Sequence, residues 1–130
     1  YEINIGDWSS DVCSSDLITS WADSSRYAWY RKMNHLKHTH PALQNGAWGA
    51  KEEVLKVTGG NENVYAFKRS KDGQTVTVIV NLDNNQQWIQ AVGDRVLTGA
   101  EKTYVASPVN IKHIGQGMPL APWGYVVIVD

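Results

Sequence analysis

The sequence predicts a mainly β domain of seven or eight antiparallel strands, sandwich-like in architecture and preceded by one α-helix. Turn signals recur at short spacing between residues 59 and 117, as is typical of all-β sandwiches and barrels. The stretch 63–82 carries the pattern of a β-hairpin, and the stretch 23–38 carries the apolar spacing of an amphipathic helix. Together these observations favour a β domain with a single helix before it.

The hairpin is centred on Asp72-Gly73, a dipeptide that tolerates the positive φ of a tight two-residue turn. The apolar pattern around this turn fixes the register, because a slip by one residue would set Phe67 opposite Ile79 and break the apolar face. The predicted cross-strand pairs are Lys71 with Gln74, Phe67 with Val78 and Tyr65 with Val80. The predicted buried face consists of Tyr65, Phe67, Val76, Val78, Val80 and Leu82.

Length and charge limit the classes of function. The 130 residues suffice for one domain, and the formal net charge is −1. Because no stripe of Lys and Arg is present, we expect no nucleic-acid partner. No run of about 18 apolar residues occurs, so we expect no membrane span. A neutral partner, or none, fits this charge balance.

Residues 7–17, DWSSDVCSSDL, have no periodicity and resemble the translation of a common short-read sequencing adapter. We interpret them as an unstructured artefact and exclude them from the fold prediction. Cys13, the single cysteine, then says nothing about redox compartment. The alternative is a genuine Ser/Asp-rich loop. Under the artefact interpretation the true N-terminus is missing, so the localisation is unknown.

The helix is predicted to run from about Asp23 to about His38. Asp23 or Ser24 supplies an N-cap, and Pro41 ends the helix because the residue before proline is disfavoured in the α region. The apolar stripe consists of Trp29, Tyr30, Met33 and Leu36. We expect part of this stripe to stay uncovered within the chain.

The remaining strands are predicted from short apolar runs between the turns. These runs are EEVLKV, QWIQAV, KTYVA, VNIKHI and the segment from Trp123 to Val129. The last run is apolar on both faces, which is typical of a central strand, and Pro119 and Pro122 precede it. We expect Trp123 and Tyr125 to lie in the core.

Three of these segments, in this order, resemble the end of an α-amylase family glycoside hydrolase. They are WYRKMNHLKHTHPALQNG, VYAFKRSKDGQTVTVIVNL and LAPWGYVVIVD. In that family similar motifs occur in the last helix of a (β/α)₈ barrel, in a hairpin of the following Greek-key β domain, and in its final strand. The resemblance covers about residues 21–130.

The resemblance implies a domain organisation and a function. Residues 1–6 would be a remnant of a barrel strand, residues 18–46 the last barrel helix with its connector, and residues 47–130 the C-terminal β domain. The parent protein would hydrolyse α-glucosidic bonds with retention, which requires two carboxyl groups about 5–5.5 Å apart. No acidic residue of this chain matches the family's catalytic motifs, so no catalytic residue is assigned and the chain alone is predicted to be inactive.

The resemblance also implies partners and cofactors. The expected partner is the missing catalytic barrel, with an α-glucan as a further candidate ligand. No cofactor is expected in this chain, although the parent protein could bind the Ca²⁺ that is usual in the family. An extracellular or periplasmic parent fits the family.

Trp48 and Trp88 are the candidate carbohydrate-binding residues, because a flat aromatic ring can stack on the apolar face of a glucose ring. Packing in the core or at an interface is the more common use of Trp. Solvent exposure of both side chains would favour a free carbohydrate-binding module, which is the alternative function. Burial would favour a purely structural β domain.

Two other groups of residues suggest chemistry but have simpler explanations. Glu52 and Glu53 are adjacent on a predicted strand, so their side chains point to opposite faces and cannot act on one substrate. His35 and His38 share one side of the helix, but His40 lies beyond its end and no Glu or Cys stands at ligand spacing. No metal site is therefore assigned.

Overall fold

The computed structural model describes residues 25–109 and 117–130. They contain one α-helix, two 3₁₀ turns and nine β-strands, against the seven or eight strands that were predicted. The described residues fall into two units whose boundary lies within the helix: one ends at Leu36 and the other is Lys37–Asp130. The adapter-like segment 7–17, the predicted N-caps and most of the run VNIKHI lie outside the described residues.

The bounds of the elements follow the chain. Helix α1 is Ser25–Thr39, and the 3₁₀ turns are Pro41–Leu43 and Gly46–Trp48. The strands are β1 (Glu53–Val54), β2 (Val57–Gly59), β3 (Val64–Lys71), β4 (Gln74–Asn81), β5 (Gln87–Val92), β6 (Arg95–Val96), β7 (Val105–Ala106), β8 (Met118–Leu120) and β9 (Tyr125–Val129).

Helix α1 ends at Thr39, two residues before Pro41, as predicted. Of its apolar stripe, Trp29 is 39% exposed and Tyr30 is 59% exposed, whereas Leu36 is buried. Part of the stripe is therefore uncovered, as expected. The rings of Trp29 and Tyr30 meet edge to face, with centroids 5.2 Å apart.

The strands form two antiparallel sheets in the unit Lys37–Asp130. Sheet one has the order β1-β3-β4-β9-β7, and sheet two has the order β2-β5-β6 with β8 paired to the other part of β5. The run QWIQAV forms β5 as predicted, whereas EEVLKV divides between β1 and β2. This is the predicted mainly β, sandwich-like fold after one helix.

The β3–β4 hairpin has the predicted register. Phe67 lies opposite Val78 and Lys71 opposite Gln74. Asp72 and Gly73 adopt φ values of 54° and 80°, so both turn residues are in the left-handed region that a type I′ turn requires.

The predicted buried face of the hairpin is only partly buried: Val76 is 0% exposed and Phe67, Val78 and Val80 are half-buried. The core lies under the opposite face, through Val64, Ala66 and Ile79, whereas Tyr65 is 38% exposed and Leu82 is 55% exposed. Both faces of the hairpin carry apolar residues, so alternation alone could not choose between them. We call the face with Tyr65, Phe67, Val78 and Val80 the outer face of sheet one.

The core lies between the two sheets. Its members are Val64, Ala66, Ile79, Val126 and Ile128 from sheet one, Ile89, Val92, Met118 and Leu120 from sheet two, and Leu97 after β6. Because this set is contiguous and drawn from both sheets, the unit is held together mainly by burial of apolar surface.

Trp123 is not a core residue, contrary to the prediction. Its side chain is 65% exposed and the final strand begins only at Tyr125, which is half-buried. The φ of Trp123 is 54°, in the left-handed region, so the chain turns there instead of continuing as a strand. A turn at this position takes the indole out of the alternation that would have buried it.

Candidate functional site

Trp48 lies at the end of the connector that follows helix α1, and its side chain is 74% exposed. The connector is tied to the outer face of sheet one. The Arg69 guanidinium donates from Nε to the carbonyl of Ala50 at 2.8 Å and from Nη2 to the carbonyl of Gln44 at 3.0 Å. Lys71 Nζ donates to the carbonyl of Trp48 itself. The backbone of Trp48 is therefore anchored while its indole faces solvent.

Trp88 lies in β5 of sheet two, opposite Pro119 of β8, and is half-buried. Its neighbours Gln87 and Ile89 are buried, so the indole is on the side of the strand away from the core. It packs closely over Gly117, where an added Cβ would lie 2.4 Å from the indole Nε1. The Nε1 side of the indole therefore packs against Gly117.

The structure does not bring Trp48 and Trp88 together. Trp48 lies beside the tip of the β3–β4 hairpin in sheet one, whereas Trp88 lies in sheet two. The exposure that a carbohydrate contact requires is met by Trp48 and only partly by Trp88. The two side chains do not form one binding platform.

Glu52 and Glu53 point to opposite faces, as expected. Glu52 accepts a hydrogen bond from the Tyr65 hydroxyl on the outer face, and this bond raises the pKa of Tyr65. Glu53 pairs with Lys68 Nζ at 3.3 Å, on the other side of the sheet. Both carboxylates make structural contacts of the kind found at sheet edges.

The carboxylate of Asp83 is held in its charged form by its neighbours. Hydrogen bonds from Asn63, from Asn61 and from the backbone of Asn85 lower the pKa of Asp83 to about 2. A general acid for glycoside hydrolysis needs a raised pKa instead. This carboxylate is arranged for structure and not for proton donation.

The pKa of Glu101 is also lowered. Burial works to raise its pKa, but hydrogen bonds from the backbone and hydroxyl of Thr98 and from Gly99 outweigh that effect and lower it. Asp130 forms an ion pair with Arg95, in which Oδ2 lies 2.6 Å from Nη1. Each of these acidic groups is committed to a local structural contact.

Among the described histidines, His35, His38 and His40 are not part of any group that could hold a metal ion. His35 and His38 are exposed on helix α1, while the His40 ring meets the ring of Tyr104 edge to face at 6.3 Å. Within residues 25–109 and 117–130, no three His, Cys, Asp or Glu side chains lie close enough to hold a metal ion. No helix in the same part of the chain is long and apolar enough to cross a membrane.

Sequence reasoning missed a polar cluster at the end of the hairpin opposite Trp48. Asn81 is fully buried and donates from Nδ2 to the carbonyls of Asn85 at 2.8 Å and of Ala121 at 2.9 Å. Its Oδ1 accepts from the backbone of Asp83 at 3.1 Å. The density of Asn and Asp between residues 61 and 85 was the available signal, but it was interpreted only as turn chemistry.

Comparison with known proteins agrees with the motifs. A β/α-amylase of Paenibacillus polymyxa is 33% identical over 77 residues, which are 59% of this chain and 6% of that protein. The trehalulose synthase MutB of Pseudomonas mesoacidophila MX-45 superposes on 80% of this chain with a TM-score of 0.56 and 23% identity. A variant of MutB in complex with glucose gives 0.57 and 25%.

The chain spans a small part of these relatives, 6% of the amylase and 18% of the MutB chain. No known family profile matches it. The fold, the similarity to the amylase and the order of the three motifs nonetheless agree with one another. The chain therefore resembles the C-terminal part of an α-amylase family enzyme.

Proposed function

We propose that the chain is the non-catalytic C-terminal β domain of a retaining glycoside hydrolase that acts on α-glucans, and that its role is to stabilise the catalytic barrel. The observation that carries this proposal is the open part of the outer face of sheet one. Its exposed members are Val54 at 62%, Tyr65 at 38% and Leu82 at 55%. A sheet with two apolar faces is typical of a layer that is covered on both sides.

Coverage of this face within the chain is incomplete. The 3₁₀ turn Pro41–Leu43 packs on β3 and β4, and Ala42 is fully buried there. Arg69 and Lys71 tie the same connector to the hairpin-tip end of the face. The other end, around Tyr65 and Leu82, carries no such cover among the described residues, and we propose that the barrel packs there.

The state of the carboxylates supports a non-catalytic role. Glu52, Glu53, Asp83, Glu101 and Asp130 are each engaged by a hydrogen bond or an ion pair. The pKa values of Asp83 and Glu101 are lowered by their hydrogen bonds, which is the opposite of the change that a general acid would need. The proposal therefore assigns the acid, the nucleophile and any Ca²⁺ to the parent's barrel.

The test uses the parent enzyme with the outer face altered. Tyr65→Lys with Leu82→Lys would place two charges on the proposed interface, whereas Thr58→Lys, on an exposed position of sheet two, is the matched control. We expect the double variant to lose activity at a lower temperature than both the wild type and the control, with an unchanged rate on maltoheptaose at 25 °C. Equal thermal inactivation in all three proteins would refute the stabilising role.

The alternative is a non-catalytic carbohydrate-binding module, and the 74% exposure of Trp48 is the observation that favours it. It predicts that the isolated chain binds maltoheptaose through Trp48. Trp48→Ala should then abolish binding. Unchanged binding in this variant would exclude Trp48 as the contact residue.

A further inference from the structure

Trp123 combines two properties that are rarely found together. Its backbone adopts φ 54°, and its large apolar side chain is 65% exposed. Among the described non-glycine residues one other has a positive φ, and that residue is Asp72 in the hairpin turn. Asp tolerates this conformation, whereas Trp is strained in it and most of its side chain stays exposed. Strain of this kind points to a functional role.

Hydrogen bonds hold the backbone on both sides of Trp123. Its N–H donates to the carbonyl of Asp83 at 2.9 Å, and the N–H of Gly124 donates to the carbonyl of Ala121 at 2.8 Å. The buried Asn81 binds both ends of this turn, because its N–H donates to Gly124 and its Nδ2 donates to Ala121. The indole is therefore presented from a rigid frame, so little conformational freedom would be lost on binding a ligand.

The surroundings of Trp123 are polar and carry no positive charge. The loops next to it are residues 61–63, 83–86 and 121–124, which contain no Lys or Arg and carry the carboxylates of Glu62 and Asp83. Asn84 and Gln86 are exposed on the loop whose backbone binds Trp123 directly. Amide side chains both donate and accept hydrogen bonds. Such a rim does not suit an anionic ligand, but it matches the hydroxyl groups of a neutral sugar.

We propose that Trp123, together with the loop 83–86, forms a surface binding site for a neutral chain of pyranose units. The indole face would stack on the apolar C–H face of one ring, and the amides of Asn84 and Gln86 would bind hydroxyl groups at its edge. The choice of an α-linked glucan as ligand rests on the proposed function. The site is separate from Trp48, which lies at the other end of a hairpin about 25 Å long.

The test is a titration of the whole chain with maltoheptaose and, separately, with the β-linked cellohexaose. Binding is followed by the shifts of the six tryptophan indole N–H signals in a ¹⁵N correlation spectrum. We expect maltoheptaose to shift the Trp123 signal and Trp123→Ala to weaken binding about tenfold. Trp123→Tyr should restore most of the affinity, because it retains an aromatic face. Tyr30→Ala removes an exposed aromatic side chain of helix α1 and is the matched control, which should bind within twofold of the wild type.

A stability measurement separates binding from structure. Glycine adopts a positive φ without strain, so Trp123→Gly should unfold at a higher temperature than Trp123→Ala while binding no sugar. If Trp123→Gly and Trp123→Ala both bind as the wild type does, or if no sugar shifts the Trp123 signal, the site is refuted. Binding of cellohexaose in place of maltoheptaose would confirm the site and contradict the α-glucan function.

Discussion

Asn81 is the residue whose replacement tests the structure most sharply. It is 0% exposed, and its side chain makes three hydrogen bonds, two donated from Nδ2 and one accepted by Oδ1. These bonds join β4 to the loop 83–85 and to the turn before β9. Asn81→Ala would remove all three at once and leave the carbonyl of Ala121 and the N–H of Asp83 without their side-chain partner.

The expected cost follows from the number of bonds. Each lost hydrogen bond contributes about 1 kcal/mol, and each polar group left unpaired in a partly buried position adds to that. We therefore expect Asn81→Ala to lower the free energy of unfolding by about 3 kcal/mol. For a domain of this size that corresponds to a decrease in Tm of roughly 15 °C.

The assay is urea unfolding at pH 7, followed by tryptophan fluorescence and circular dichroism, with linear extrapolation to water. Asn84→Ala is the matched control, because this asparagine is exposed on the same loop. The control should change stability by less than about 0.5 kcal/mol. An equal change in both variants would show that the buried network around Asn81 does not stabilise the fold.

Asn81→Asp separates the donated bonds from the shape of the side chain. Aspartate keeps an oxygen for the N–H of Asp83 but cannot donate to Asn85 and Ala121 when it is ionised. We expect this variant to be less stable at pH 7 than at pH 4, because a buried unpaired charge is costly. A stability that does not depend on pH would contradict this interpretation.

Two further predictions follow from the contacts around the hairpin. The pKa of Asp83 is lowered to about 2, so the folded state binds its proton less readily than the unfolded state does. Its stabilising effect should be complete above about pH 4 and disappear as the pH falls towards 2, and Asp83→Asn should remove this part of the acid transition in a stability-versus-pH series. Arg69→Lys cannot reach both carbonyls that the guanidinium binds, those of Ala50 and Gln44. It should destabilise the domain by about 1 kcal/mol and speed amide hydrogen exchange near Ala50, and unchanged exchange there would contradict the anchoring role.

The hairpin was the part of the fold that sequence reasoning could predict most fully. Asp72-Gly73 specifies the turn, the turn specifies the register, and the observed pairing of Phe67 with Val78 agrees. The sequence alone did not determine which face of the hairpin enters the core. Tyr65 and Phe67 on one side compete with Val64 and Ala66 on the other, and only the position of sheet two decides which pair enters the core.

The candidate site was predictable to a smaller extent. Trp48 was identified as a candidate from composition, and its exposure depends on the connector that Arg69 and Lys71 anchor. Trp123 was assigned to the core because it begins an apolar run. A left-handed conformation at a non-glycine residue has no signal in sequence; the φ of 54° and the hydrogen bond from Trp123 to Asp83 show it only in the structure.

The most direct test of the assignment is independent sequencing of the source locus across the codons for Tyr1 to Trp21. The proposed function predicts that residues 7–17 vanish and that an upstream (β/α)₈ barrel with the family's catalytic Asp, Glu and Asp appears in frame. If the segment persists in frame behind a start codon near Tyr1, the chain is not the end of a longer enzyme, and the free binding module becomes the leading function.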